Sequence, residues 1–266
     1  MGTLERHAVT VSGNPDGQTM VFAHGFGCDQ HMWREVAPAF QADFQVVLFD
    51  YVGAGGSDVS AYDASKYSTL DGYADDVVAI CEALGASDVI FVGHSVSSMI
   101  GALAAARRPD LFARLVMVAP SARYINDGAY VGGFTEADID DLLGSMDSNY
   151  LGWSRAMAPV IMAHPDEPAL ASELEESFCR TNPQIARQFA KVTFTSDNRD
   201  DLAKVSVPTL VLQCSDDLIA PMSAGEYVRD HLADATYVVL DTTGHCPHLS
   251  APATTIAAID PYVRAA

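Results

Sequence analysis

Ser95, Asp217 and His245 are the side chains whose types and order fit one kind of chemistry, the attack of an activated hydroxyl on an acyl carbon. Serine is a weak nucleophile until a base takes its proton and an acid orients that base. Ser95 lies in Gly93-His94-Ser95-Val96-Ser97, where an apolar run, "VIFVG", meets an alanine-rich stretch, "SSMIGALAAARR". A strand that turns so sharply into a helix strains its central residue and needs small neighbours at minus two and plus two. Gly93 and Ser97 meet that need, Ser97 standing where the G-x-S-x-G pattern has its second glycine.

The partners follow at the ends of two later apolar runs. "LVLQCSDDLIAP" carries Asp216 and Asp217, and "VVLDTTGHCPHLS" carries His245. Asp217 is favoured as the acid, with Asp216 left to cap a turn, and His245 is favoured over His248 because it directly follows the glycine turn. The His-x-x-His spacing does not read as a zinc site. Paired ligands on a helix need i, i+4 spacing, and Pro247 spoils a helix here. An oxyanion needs two backbone N–H donors. Val96, next after the serine, supplies one, and Phe26 in "AHGFGCD" (23–29) supplies the other. Gly25-Phe26-Gly27 lacks the GxGxxG continuation and an acidic ribose partner, so it is not read as a nucleotide site. "DYVGAGGSD" (50–58) reads as a tight loop after a strand.

Such residues need a scaffold that brings strand ends together. Apolar runs recur at 19–25, 44–50, 88–94, 115–120, 209–217 and 236–241 without polar alternation, as strands buried on both faces of a mainly parallel sheet require. "HAVTVSG" (7–13) does alternate, and with "NPDGQ" after it predicts an edge strand entering a hairpin. Helical stretches lie between: "STLDGYADDVVAICEALG" with a Ser/Thr cap and Gly85 as its stop, "AGEYVRDHL", and "PATTIAAIDPYVRA" with a kink or break at Pro261. The alternation predicts an α/β class, a doubly wound, mostly parallel sheet. Residues 121–200 contain only helical pieces, "TEADIDDLLGSMDSNYLGWSRAMAPVIM", "EPALASELEESFCR" and "NPQIARQFAKVTF". They are read as a helical lid inserted into a core of residues 1–120 and 201–266, one domain in all, covering the sheet edge where such folds keep their pockets.

Composition narrows the function classes. A net charge of −20, from 35 acidic and 15 basic side chains, repels nucleic acid and anionic membrane. The only lysines are Lys66, Lys191 and Lys204, and the acidity is read as a soluble surface. No window approaches 18 uninterrupted apolar residues, and the start, "MGTLERHAVT", has no secretory pattern. Cys28, Cys81, Cys179, Cys214 and Cys246 are scattered without CxxC spacing and are read as reduced thiols in a cytoplasmic protein. Cys246, beside His245, is read as a packed residue rather than a nucleophile. No cofactor or metal is called for.

The stretches "HGFGCDQHMW", "DYVGAGGSD", "FVGHSVSSMIG", "RRPDLF", "NYLGW", "IARQFAKVTFTSD", "VPTLVLQCSDDLIAP" and "GHCPHLS" resemble the RsbQ-like family of bacterial stress-response regulators. More distantly they are similar to the plant karrikin- and strigolactone-receptor hydrolases. The likeness runs through the whole chain, lid included. It implies the α/β-hydrolase fold, Ser95 as nucleophile, Asp217 as acid, His245 as base, and Phe26 and Val96 as oxyanion donors. It further implies a closed hydrophobic chamber beneath a four-helix lid. Phe26, Tyr124, Phe134, Leu142, Trp153, Phe194 and Leu218 are its implied walls, with Met157 where some relatives carry an aromatic residue.

The expected activity is hydrolysis of a small apolar ester or lactone. A different class of function, also implied by the resemblance, is a ligand sensor that activates a phosphatase partner bearing a PAS domain. Haloalkane dehalogenase chemistry, which needs Asp at the nucleophile, is excluded by Ser95. Perhydrolase and hydroxynitrile lyase chemistries, which keep Ser-His-Asp, are not.

Overall fold

A strand without polar alternation is stable only where both its faces are covered. The computed structural model describes residues 2–265, and its sheet sorts the strands by that rule. β1 (Thr10–Gly13), β2 (Thr19–Ala23), β3 (Gln45–Leu48), β4 (Val89–His94), β5 (Phe112–Val118), β6 (Thr209–Asp216) and β7 (Ala235–Thr243) form one sheet in the order β1-β3-β2-β4-β5-β6-β7. β2 and β4 are buried throughout. All neighbours run parallel except β1, which is antiparallel to β3.

Two expectations need correction here. The 7–13 stretch does supply an edge strand, but it enters no hairpin. The turn after β1 feeds β2, while β1 itself pairs with β3, Val11 opposite Val47. The 236–241 run is not buried on both faces, because β7 is the other edge. Leu240 alone in it is fully buried.

The helices are α1 (Thr3–Arg6), α2 (Leu70–Leu84), α3 (Val96–Arg107), α4 (Glu136–Ser148), α5 (Tyr150–Met162), α6 (Pro168–Arg180), α7 (Pro183–Thr195), α8 (Met222–His231), α9 (Pro247–Ser250) and α10 (Pro252–Arg264). α2 starts where the Thr69 hydroxyl accepts the Asp71 N–H and stops at Gly85, whose φ of 64° is left-handed, as a helix stop demands. α10 continues through Pro261 instead of breaking. The carbonyl that this proline leaves unbonded, on Ala257, lies at an exposed position where water can reach it.

Between β5 and β6 the chain departs from the sheet and forms α4, α5, α6 and α7. The stretch 135–162 is two helices rather than one. Asn149 leaves helical geometry at φ −159° and its side chain accepts the Gly152 N–H, which ends α4 and caps α5. Apolar faces of these helices pack on one another and on Cys28, Met32, Cys246 and Leu249 from the loops above the sheet. The sheet's two faces carry separate cores, one built around α2 and α3 and the other around Trp33, Phe40 and α10.

The strand order reverses at β2, whose neighbours are β3 on one side and β4 on the other. Loops from the ends of β2 and β4 therefore diverge there, at the point where open α/β sheets bind ligands. Those two loops carry Phe26 and Ser95.

Candidate active site

Ser95 has φ 57° and ψ −122°, a conformation that side-chain-bearing residues rarely adopt and that costs of order 1–3 kcal/mol. Its N–H donates to Val118 O at 2.8 Å, which fixes the turn against β5. Gly93 is obligatory here, since a Cβ on it would lie 2.5 Å from Ser97 O. Ser97 does more than fit. Its hydroxyl donates to His24 O at 2.5 Å and pairs with the Tyr51 hydroxyl at 2.9 Å, bonding α3 to the loop after β2.

Asp217 and His245 converge on the serine. His245 Nδ1–H donates to Asp217 Oδ2 at 2.7 Å, and Ser95 Oγ donates to His245 Nε2 at 2.7 Å. Asp217 is held by the Ile219 and Ala220 N–H groups on its other oxygen, at 2.8 and 3.1 Å. All three residues are buried. Asp216 is exposed, and its role is through its backbone, Gly244 N–H donating to its carbonyl at 2.8 Å. His248 stands behind His245 with neither ring nitrogen hydrogen-bonded, its ring packed 4.6 Å from Trp33 and 4.3 Å from His94. Burial, with His245 and Arg34 adding to it, depresses its pKa to about 3. His94 is likewise pushed well below the usual range, first by burial and then by His248 and His245.

Tyr124 reaches Ser95 itself, its hydroxyl 3.2 Å from Ser95 Oγ. The serine proton is committed to His245, so Tyr124 is the donor. Burial pushes its phenol pKa up and keeps it protonated. The sequence marks Tyr124 only as a wall residue, because nothing in an isolated "SARYIND" indicates where a hydroxyl ends up.

Of the two expected oxyanion donors, Val96 follows the serine in the chain and Phe26 lines the same cavity as it. Val96 is the first residue of α3, a position whose N–H has no partner within a helix. Residues 25–28 form a turn closed by Cys28 N–H to Gly25 O, with Gly27 at φ 72°, the third position that a type II turn reserves for glycine. A Cβ on Gly25 would lie 3.4 Å from Ser95 Cβ, so this backbone runs against the serine. Asp50 steadies the loop further on, accepting from Gln30 N–H at 2.7 Å.

A cavity opens from Ser95 and His245 into the four-helix insertion. Phe26, Leu142, Trp153, Met157 and Phe194 are on its wall, joined by Cys28, His94, Ile161, Leu174, Phe178, Thr193, Ile219 and Cys246. Tyr124 and Phe134 stand behind Phe194, with ring centroids 5.1 and 6.3 Å from it. Leu218 is a correction: it turns outward and is 65% exposed. The turn that Asp217 makes with the Ile219 and Ala220 N–H groups sends residue 218 to solvent and residue 219 to the cavity. Cys28 and Cys246 carry thiols whose pKa burial pushes up, so neither is a thiolate nucleophile. The free space is about 30 Å³, room for about two water molecules.

A buried serine–histidine–aspartate relay at the switch point of a parallel sheet, with a helical insertion above it, defines a hydrolase-type α/β fold. The chain belongs to the alpha/beta hydrolase fold family, which matches residues 18–252. Among its relatives, a probable esterase of Oryza sativa subsp. japonica is 41% identical over 95% of this chain and 94% of its own. Strigolactone esterase D14 of Arabidopsis thaliana is 41% identical over 94% of this chain and 93% of its own. A solved hydrolase structure from Oleispira antarctica superposes with a TM-score of 0.96 at 36% identity, covering 99% of this chain and 97% of that one.

Proposed function

We propose that the chain is a serine hydrolase of small, apolar carboxylic esters or lactones. The observation that carries this reading is the relay in which His245 is bonded at 2.7 Å to Ser95 on one side and to Asp217 on the other. Ser95 Oγ attacks the carbonyl carbon as His245 Nε2 takes its proton, and the carbonyl electron pair moves to oxygen. The Phe26 and Val96 N–H groups receive that oxyanion. Collapse expels the alcohol, protonated by His245, and leaves an acyl-serine. Water then attacks the acyl carbon with His245 as base, releasing the acid and restoring Ser95. Asp217 keeps His245 in the tautomer whose Nε2 accepts.

The apolar wall favours uncharged substrates, since a charge placed there would lose its hydration without a partner. In this reading residues 121–200 are a lid over the reaction, and residues 1–120 and 201–266 the core that performs it. Five free cysteines, four of them buried, suit a reducing cytoplasm. No described helix is long and apolar enough to cross a membrane.

A receptor-like role is a second reading, favoured by relatives named as karrikin insensitive 2 receptors, one from Petunia hybrida being 42% identical over 95% of this chain. Here slow hydrolysis would report a captured ligand to a protein partner, in the RsbQ-like case a PAS-domain phosphatase.

Steady-state kinetics on a p-nitrophenyl ester and a butenolide lactone, with intact-mass spectrometry, separate these readings. Ser95→Ala is expected to lose at least ~10³-fold in kcat while the melting temperature hardly moves. Residual turnover near that of the unaltered protein would refute the serine mechanism. Fast turnover without adduct means an esterase, and slow turnover with a persistent adduct on Ser95 or His245 means a sensor.

A further inference from the structure

The cavity beneath the insertion is narrow, about 30 Å³, and the helices over it are not all held alike. Hydrogen bonds distinguish the helices tied to the loops beside Ser95 and His245 from the one that is not.

The last carbonyls of a helix lack partners within it. At the end of α5, the Ile161 carbonyl is taken by the N–H of His245 itself, at 2.8 Å. The preceding residue is Gly244, where a Cβ would lie 2.1 Å from Met162 O. Just past α5, His164 Nε2–H donates to Thr243 O at 3.0 Å. The loop bearing the catalytic base is thus moulded to α5.

α6 does the same for the oxyanion turn. The Ser177 hydroxyl, buried, donates to Gly27 O at 2.9 Å, one residue beyond Phe26. Arg180 pairs with Asp29 at 2.9 Å, and both nitrogens of the Arg34 fork reach Glu173. α4 differs. Among the described residues its one hydrogen bond to another element joins Asp147 to Arg187 of α7.

We propose that α5 and α6 belong to the catalytic frame rather than to the moving lid, with Ser177 a positioning residue for the oxyanion turn and His164 one for the His245 loop. Substrate is admitted by displacement of α4. This rests on the serine hydrolase reading, but half of its test needs no turnover.

Removing one positioning bond should cost less than removing a donor, so Ser177→Ala is expected to lower kcat about 10-fold with KM within about twofold. Ser177→Thr, which keeps the hydroxyl, should recover most of the loss. His164 is partly exposed and tolerates change, so His164→Leu should lower kcat several-fold and His164→Gln restore it. Hydrogen exchange read by mass spectrometry should show residues 136–148 exchanging faster than α5 and α6, and residues 24–30 losing protection in Ser177→Ala. Exchange in α5 and α6 as fast as in α4 would overturn the proposal. So would unchanged kcat in both Ser177→Ala and His164→Leu, and because Ser95→Ala is scored separately, that failure would leave the hydrolase reading standing.

Discussion

Among the described residues His245–Asp217, His7–Asp76 and His24–Asp50 are buried histidine–carboxylate pairs, and the first two are set in opposite surroundings. His245 and Asp217 are bonded at 2.7 Å, and the other nitrogen of His245 faces Ser95. His7 and Asp76 stand 3.6 Å apart, and the other nitrogen of His7 donates to the carbonyl of Asp50. The carboxylates differ as well. Asp217 has one oxygen saturated by two backbone N–H groups and the other reserved for its histidine. Asp76 is shared by the Lys66 ammonium at 2.5 Å and the Tyr67 hydroxyl at 2.7 Å. A histidine beside a buried aspartate is therefore not a catalytic sign in itself. What decides is whether the imidazole's second nitrogen meets a nucleophile beside a cavity or a carbonyl inside the frame.

The sharpest way to break the comparison is to neutralise each acid in turn. Asp217→Asn should lower kcat by about 10⁴, because the amide favours the wrong imidazole tautomer, with the fold intact. Asp216→Asn should change kcat less than about twofold, its side chain being exposed. A large loss from Asp216→Asn would mean the acid has been assigned to the wrong neighbour.

Asp76→Asn is the mirror experiment. Burial alone would raise the Asp76 pKa, but the His7 imidazole beside it and hydrogen bonds from Lys66 and Tyr67 outweigh it and hold the carboxyl below its ordinary range. Breaking a buried pair typically costs 3–5 kcal/mol, and Lys66 is about one-third exposed, so a loss of roughly 2–4 kcal/mol in urea unfolding is expected. kcat at pH 7.5 should be nearly unchanged. A collapse of kcat without loss of stability would place this cluster in the catalytic machinery.

The difference between the two clusters also explains what can be read from sequence. Ser95, Asp217 and His245 are legible because each follows an apolar run and because the order of strand ends is a property of the chain. Asp76 and His7 follow no such pattern, and their meeting depends on how α1 lies against α2. The walls of the cavity are legible only in part. Leu142, Trp153, Met157 and Phe194 line it, yet Ile219 replaces Leu218, since a hydrogen-bonded turn at Asp217 decides which of two adjacent apolar residues faces inward. The bond from Tyr124 to Ser95 has no sequence signal, nor do the contacts of α5 and α6 with the catalytic loops. They depend on how the insertion lies on the sheet, which no local pattern encodes.

The smallest expected effect separates the two acid limbs of the stability curve. His248 is uncharged in the fold, with a pKa depressed from 6.5 to about 3. A base depressed on folding contributes stability that is complete above its unfolded value and is lost as pH falls through the folded one. The His248 contribution is thus present above pH 6.5 and fades between 6.5 and about 3. That of Asp76 is complete above 3.8 and is lost only below it. His248→Leu removes the earlier limb and also two buried nitrogens without partners, at the cost of packing against Trp33 and His94. The slope of unfolding free energy between pH 6 and 4.5 should then fall by up to about 1.4 kcal/mol per pH unit, one proton's worth. The buried His94 keeps the curve from going flat. An unchanged slope in His248→Leu would mean that His94 sets the acid limb in this range, and that His248 is only packing.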